Sequence, residues 1–403
     1  MRHFLLLLLA IVAHVDGEDE ALSFLENRVQ KDPDDFVAQN QLASRYLELL
    51  RSTGDNHWFE KARQAATASV KVAPADLNLA GLYAMGQVQI ASHQFEAARD
   101  TAKKLRGLAP EKPFSLSLLG DALFELGDYD EAARIYQDFR KVEPNSVDTA
   151  VRFAKLAFIR GDLDTARNQF DLALKIARSL PSRVPSVEAW CLVQLGQLAF
   201  GRGNWAEADK QYKEAIVLLP DFWSALEHKA ELLGAQERYP EAIESYQKLI
   251  DRVSHPDLMQ ALGDLYTFMG KLDDANRWHE RALAAYLESA NRGDIIYVHH
   301  LAGFFSDSIE IPEKALQWAR KDSEMRHSIF AHDAMAWAFY RSGKFPEATA
   351  EMERALALGT KDAHLLFHAG MIAIAGGNPE RGKEFLRHAG EVNPRYNAFH
   401  VHR

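Results

Sequence analysis

One cysteine, Cys191, is all that the 403 residues contain. A single thiol excludes an intrachain disulfide, a CxxC redox pair and any zinc or iron–sulfur site built on several thiolates. Excess basic charge is missing as well: 47 Lys and Arg stand against 57 Asp and Glu, a net charge of −10. Non-specific nucleic-acid binding, which depends on cations neutralising phosphates, is therefore not expected. No P-loop, HExxH, GxSxG or EF-hand pattern is present, nor any Asn-x-Ser/Thr glycosylation acceptor. No convincing segment alternates polar and apolar residues with the period of two that a half-buried strand needs. What is there, 47% hydrophobic and 26% charged residues, belongs to a folded chain and not to a disordered or multi-span membrane protein.

The one continuous apolar run is residues 4–13, preceded by Arg2 and followed by His14-Val15-Asp16-Gly17. It is about half the roughly 20 residues needed to span a bilayer. Its layout is that of a secretory signal peptide covering residues 1–17 and cut after Gly17. After cleavage no integral membrane span is expected. An exported chain without disulfides or glycosylation acceptors suits a bacterial periplasm or exterior better than an animal secretome.

From residue 18 onward, short amphipathic helical patterns follow one another through brief turns. The phrase that runs from Gly120 through Gly127 to Ala132 recurs at Gly196, Gly203 and Ala208, at Gly263, Gly270 and Ala275, and at Ala336, Gly343 and Ala348. A small residue marks each unit: Ala43, Gly86, Gly120, Ala154, Gly196, Ala230, Gly263, Ala302, Ala336 and Gly370. The spacing is 34 residues at five of the nine steps and 33 at a sixth. Such a period with paired helices predicts an all-α solenoid. A Gly or Ala on a first helix lets the second helix approach closely, and a glycine in the turn takes the left-handed conformation without strain. Pro240 and Pro346 fit the first turn of second helices, while Pro33, Pro74, Pro110, Pro144, Pro220 and Pro394 stop them.

These positions resemble the tetratricopeptide repeat family, most closely at Leu116, Leu119, Gly120, Leu123, Ala132, Tyr136 and Pro144. The resemblance implies a right-handed superhelical solenoid of about ten helix-turn-helix repeats. The expected organisation is a half repeat over residues 18–35, repeats one to four over 36–180, a proline-containing linker at 181–188, repeats five to ten over 189–394, and a tail at 395–403. Three departures stand out: an insertion near residues 51–57, the linker, and residues 306–312, which replace a glycine turn.

In this family first helices line the concave groove. By that resemblance the groove presents Phe114, Phe124, Phe158, Trp190, Phe200, His228, Phe330, Trp337, Tyr340 and Phe367, an aromatic set suited to a partner with apolar side chains. The Lys/Asn arrangement with which some members clamp a peptide carboxylate is not seen; Asn40 is the only Asn at those positions. The expected function is a non-catalytic exported scaffold for a peptide or protein partner, with no cofactor and no metal assigned. A subunit of a cell-envelope assembly, for secretion, polysaccharide export or outer-membrane biogenesis, is the alternative. A second alternative is a metal-dependent site among His299, His300, Asp333, His364 and His368, since histidines four apart on a helix point the same way. The Gly201-Arg-Gly203-Asn-Trp-Ala206 string has dinucleotide-fingerprint spacing but follows a helix, so Gly203 reads as an ordinary turn glycine. The acidic pairs Asp128/Asp130 and Asp273/Asp274 read as helix-start residues rather than catalytic carboxylates.

Overall fold

A computed structural model describes residues 15–181 and 183–400, with side chains from residue 20. The expected signal segment lies outside the described residues except for residues 15–17, which open helix α1 (Val15–Lys31). Ten helix pairs follow: α2/α3 (Phe36–Thr53, Asn56–Val72), α4/α5 (Leu79–Ala91, Phe95–Leu108), α6/α7 (Pro113–Leu126, Tyr129–Val142), α8/α9 (Val147–Ile159, Leu163–Ser179) and α10/α11 (Pro185–Gly201, Trp205–Leu218). The second five are α12/α13 (Trp223–Ala235, Tyr239–Val253), α14/α15 (Pro256–Phe268, Leu272–Asn291), α16/α17 (Val298–Gly303, Pro312–Met325), α18/α19 (Ile329–Arg341, Phe345–Ala355) and α20/α21 (Ala363–Ala375, Pro379–Val392). Among the described residues there is no strand.

At four of the five glycine markers, Gly120, Gly196, Gly263 and Gly370, the small residue makes room for the second helix of its own unit as the periodicity predicts, whereas Gly86 makes room for Leu118 of the next first helix. A methyl on Gly120 would fall 2.4 Å from the ring of Tyr136, and one on Gly196 2.2 Å from that of Tyr212. Both tyrosines are fully buried, so each ring fills the space its glycine leaves open. Asp35, Asn78, Ser146, Asp162, Asn204, Ser328 and Asp362 start helices by accepting backbone N–H groups of the first turn.

The departures are absorbed locally. The insertion near residue 51 lengthens α2 and α3 to 18 and 17 residues instead of making a loop. The linker is shorter than expected: Pro185 already occupies the first turn of α10, so residues 185–188 are helical. In repeat eight, α16 is only six residues long and passes into a π-helical turn, Phe304–Ser308, that buries Phe304 and Phe305 completely.

The coil also closes on itself, which the repeat pattern does not foretell. Turns joining the helices of early repeats press against junctions about 200 residues later. The His327 N–H donates to the Leu126 carbonyl at 2.8 Å, and the Ile329 N–H donates to the Tyr129 hydroxyl at 3.1 Å. His327 Nε2 lies 3.1 Å from Asp128, so that carboxylate serves this contact and makes no side-chain cap on α7. Further along, Gly161 faces the Gly359 carbonyl and Gly203 faces Asn393. Near the start of the chain, the Trp223 indole donates to the Arg51 carbonyl at 3.1 Å and covers Gly54. One apolar cluster consequently holds Leu119, Phe124 and Ile159 together with Ile329, Leu365 and Ile372.

The tail is docked as well. Phe399, 2% exposed, packs edge-on against Phe268 at 5.9 Å and sits over Gly234. Arg395 lies 4.1 Å above the Trp205 ring, and His400 pairs with Glu231.

Candidate docking surface and histidine–aspartate cluster

Three of the nine aromatic residues expected to bind a partner are buried: Phe124, Phe200 and Trp337 are 9%, 6% and 8% exposed. Their cover comes from distant segments or neighbouring helices. Phe124 belongs to the cluster shared with Ile329, and Phe200 meets the His400 ring at 5.2 Å. Trp337 lies between Tyr340, stacked at 4.5 Å, and His368, stacked at 3.8 Å, and its indole N–H donates to Asp307 at 2.8 Å. Phe114, Phe158, Trp190, Tyr340 and Phe367 are half-buried, and Phe330 is exposed. His228, also placed in the groove by the sequence, is buried against Tyr212 and bonded to Gln197.

The polar first-helix residues pair from one repeat to the next. Arg152 of α8 grips Asp121 of α6 with two bonds, at 2.6 and 2.9 Å, and Lys155 reaches Glu125 at 3.4 Å. Asn40 is consumed internally, donating to Asn78 at 2.7 Å. Cys191 is buried and its thiol is pushed up to about 12 by desolvation, which leaves it unreactive. Gly203 is a turn glycine with φ of 70° in an all-helical setting, not part of a nucleotide fold.

The five residues considered for a metal-dependent site divide into two groups. His299 bonds Asp322 at 2.7 Å, and Arg326 holds the same carboxylate at 2.9 Å. Burial would raise Asp322, but His299 and Arg326 outweigh it and hold the carboxyl well below the ordinary range. His300 is half-buried among Tyr286 and Tyr297, and desolvation lowers its pKa. Asp333, His364 and His368, in contrast, do converge: their candidate donor atoms all lie within 4.8 Å of one another. His368 Nδ1 is 2.9 Å from Asp333 Oδ1, and the two histidine rings meet at 3.9 Å. Burial pushes the Asp333 carboxyl up to about 6 against the opposing pull of His364 and His299.

The repeat geometry agrees with sequence comparison. The tetratricopeptide repeat model matches residues 81–138, 117–181, 193–255 and 334–390, more than half of the chain. The chain is a tetratricopeptide repeat protein. This repeat protein is 25% identical over 207 residues to anaphase-promoting complex subunit 3 of Schizosaccharomyces pombe, covering 51% of this chain and 30% of that one. It is 28% identical over 125 residues to the photosystem I assembly protein Ycf3 of Parasynechococcus marenigrum, covering 28% of this chain and 72% of that protein. It spans less than two thirds of the length of the first curated relatives it matches. Among solved structures, a tetratricopeptide repeat protein from Parabacteroides merdae is 17% identical with a TM-score of 0.42, covering 60% of this chain and 93% of its own. Among the described residues no helix is long and apolar enough to cross a membrane.

Proposed function

We propose that this repeat protein is an exported, non-catalytic scaffold that holds a peptide segment or protein partner along its first helices. The observation that carries the reading is the six rings, Phe114, Phe158, Trp190, Phe330, Tyr340 and Phe367, that keep accessible surface on those helices. Large rings with accessible faces supply contact area at small entropic cost and are frequent anchors of interfaces. The relatives named for a complex and for an assembly process support a scaffold role in general. The amino-terminal sequence supports the compartment. The test is affinity capture from native envelope extracts with wild-type protein and with Trp190, Phe330 and Tyr340 changed to Ala. Specific loss of one recovered protein from the variant supports the reading; identical recovery removes the first-helix surface from consideration.

A second reading, a subunit of a cell-envelope assembly occupied on its outer side too, is favoured by one feature. Val72, Leu108, Val142 and Val217, all in the last turn of second helices, are 38%, 43%, 41% and 81% exposed. Changing Val142 and Val217 to Glu would then release the protein from its assembly without unfolding it, measured by sedimentation of extracts.

A further inference from the structure

We infer that Asp333, His364 and His368 form a binding site for a divalent transition-metal ion, with zinc as the reference ion. The inference is independent of the scaffold reading. Asp333 comes from α18 and the two histidines from α20, the first helices of successive repeats, so ordinary repeat stacking brings the three side chains together. His364 and His368 are four residues apart on one helical face. The set gathers two imidazoles and one carboxylate. Hard ions such as calcium and magnesium prefer all-oxygen sets, and soft ions such as cuprous copper prefer sulfur; zinc, ferrous iron, cobalt and nickel suit this mixture.

The distances fit a site that closes on an ion. Ligands at about 2.0–2.1 Å from zinc stand roughly 3.0–3.5 Å from one another. His368 Nδ1 and Asp333 Oδ1 are 2.9 Å apart, and the three donors all lie within 4.8 Å of one another, close to the spacing that such ligands require. Trp337 lies flat on His368, at 3.8 Å and 12°, and is itself fixed by its bond to Asp307. That outer support restricts the ring orientation, as second-shell partners do in metal sites. Asp333 and His368 are buried and His364 is half-buried. His299–Asp322, His279–Asp264 and His332–Glu351 each bring a single imidazole, and Glu231 meets His228 and His400 through different carboxylate oxygens. Among the described residues this is the one cluster with three converging donors. Three protein ligands leave a coordination position for water or for a donor carried by a partner.

The experiment uses the full chain, purified without a metal-affinity tag, stripped with chelator and titrated with zinc, with cobalt as the spectroscopic probe. The expected result is about one zinc per chain and visible cobalt bands of a low-symmetry imidazole–carboxylate site. His364→Ala leaves the His368–Asp333 hydrogen bond in place and is expected to fold as wild type by circular dichroism while zinc affinity falls by at least about 100-fold. His368→Ala and Asp333→Asn should lose binding likewise, and the carboxy-terminal histidines, retained in every variant, cancel as a source of background. A wild-type chain that binds no more zinc than folded His364→Ala overturns the inference.

Discussion

Gly127 and Gly161 do two things at once. Each sits at positive φ, 97° and 71°, and each is pressed against backbone from the other end of the coil: an added methyl would lie 2.5 Å from the His327 carbonyl and 2.2 Å from the Gly359 carbonyl. Gly270 and Gly343 have similar φ, 74° and 72°, but open space around them. Alanine at Gly270 or Gly343 is expected to cost only the left-handed penalty, about 1–2 kcal/mol, in urea unfolding. At Gly127 or Gly161 the loss should be clearly larger, because the contact between coils must part as well. Equal losses at all four positions would remove these contacts from the account. Asp322 is a second sensitive residue. Its carboxylate, 1% exposed and held by His299 and Arg326, has a folded pKa below its unfolded one, so its contribution is complete above the ordinary carboxylate range and is lost as pH falls below about 4. Asp322→Asn is expected to destabilise the chain by about 3–5 kcal/mol at neutral pH and to flatten the acid limb of stability against pH. Glu227 has the opposite sign: burial, then repulsion by Asp257 and Glu231, raise its pKa. Its folded form holds the proton more tightly, so wild-type stability falls as pH rises above the ordinary carboxylate range. Glu227→Gln should abolish that decline in thermal unfolding scanned from pH 5 to about 8.

Helices and turns were legible to the extent that their determinants are local. Gly120 announces the close approach of Tyr136, sixteen residues on, because both belong to one helix pair, and Pro240 and Pro346 mark the starts of second helices for reasons internal to one turn. His364, His368 and Asp333 could be grouped from helical spacing and a one-repeat offset. The burial of Phe124 and Phe200 could not, because the cluster that Phe124 shares with Ile329 and the His400 ring against Phe200 both draw on segments about 200 residues away that read as an ordinary junction and a tail. His299 and His300 look like a pair in the sequence, but adjacent residues on a helix point apart, one toward Asp322 and the other toward Tyr286. The tail is the element whose role changes most. Phe399→Ala is expected to release residues 393–400 and to raise hydrogen exchange there and in α12, leaving α2 to α7 unchanged. This is local opening and not global unfolding, since the tail docks on α10 to α14 and, through Tyr396, on Phe367 of α20, away from the first repeats. Exchange that rose uniformly along the chain would contradict it.

At the scale of the molecule, an open solenoid has only nearest-neighbour interfaces, and its repeats can unfold in sequence from either end. This chain adds contacts between repeats one and six, three and nine, four and the junction of nine and ten, and five and the segment that leads into the tail. Loss of those contacts costs several repeats at once, which raises cooperativity. Denaturant unfolding followed by tryptophan fluorescence and by circular dichroism is expected to give coincident transitions for wild type, and separated ones for Gly161→Ala. The rotation that brings the coil round to meet itself accumulates in small steps over about six repeats, and no single residue encodes it.

The meeting of Leu126 with His327 and of Gly161 with Gly359 also has a mechanical meaning. A spring with free coils lengthens smoothly when its ends are pulled, whereas one whose coils are fastened edge to edge stays at fixed length until the fastenings fail. A partner that tugs on the two ends of this molecule would therefore meet a stiff strut, with the give concentrated at the glycine-lined edges.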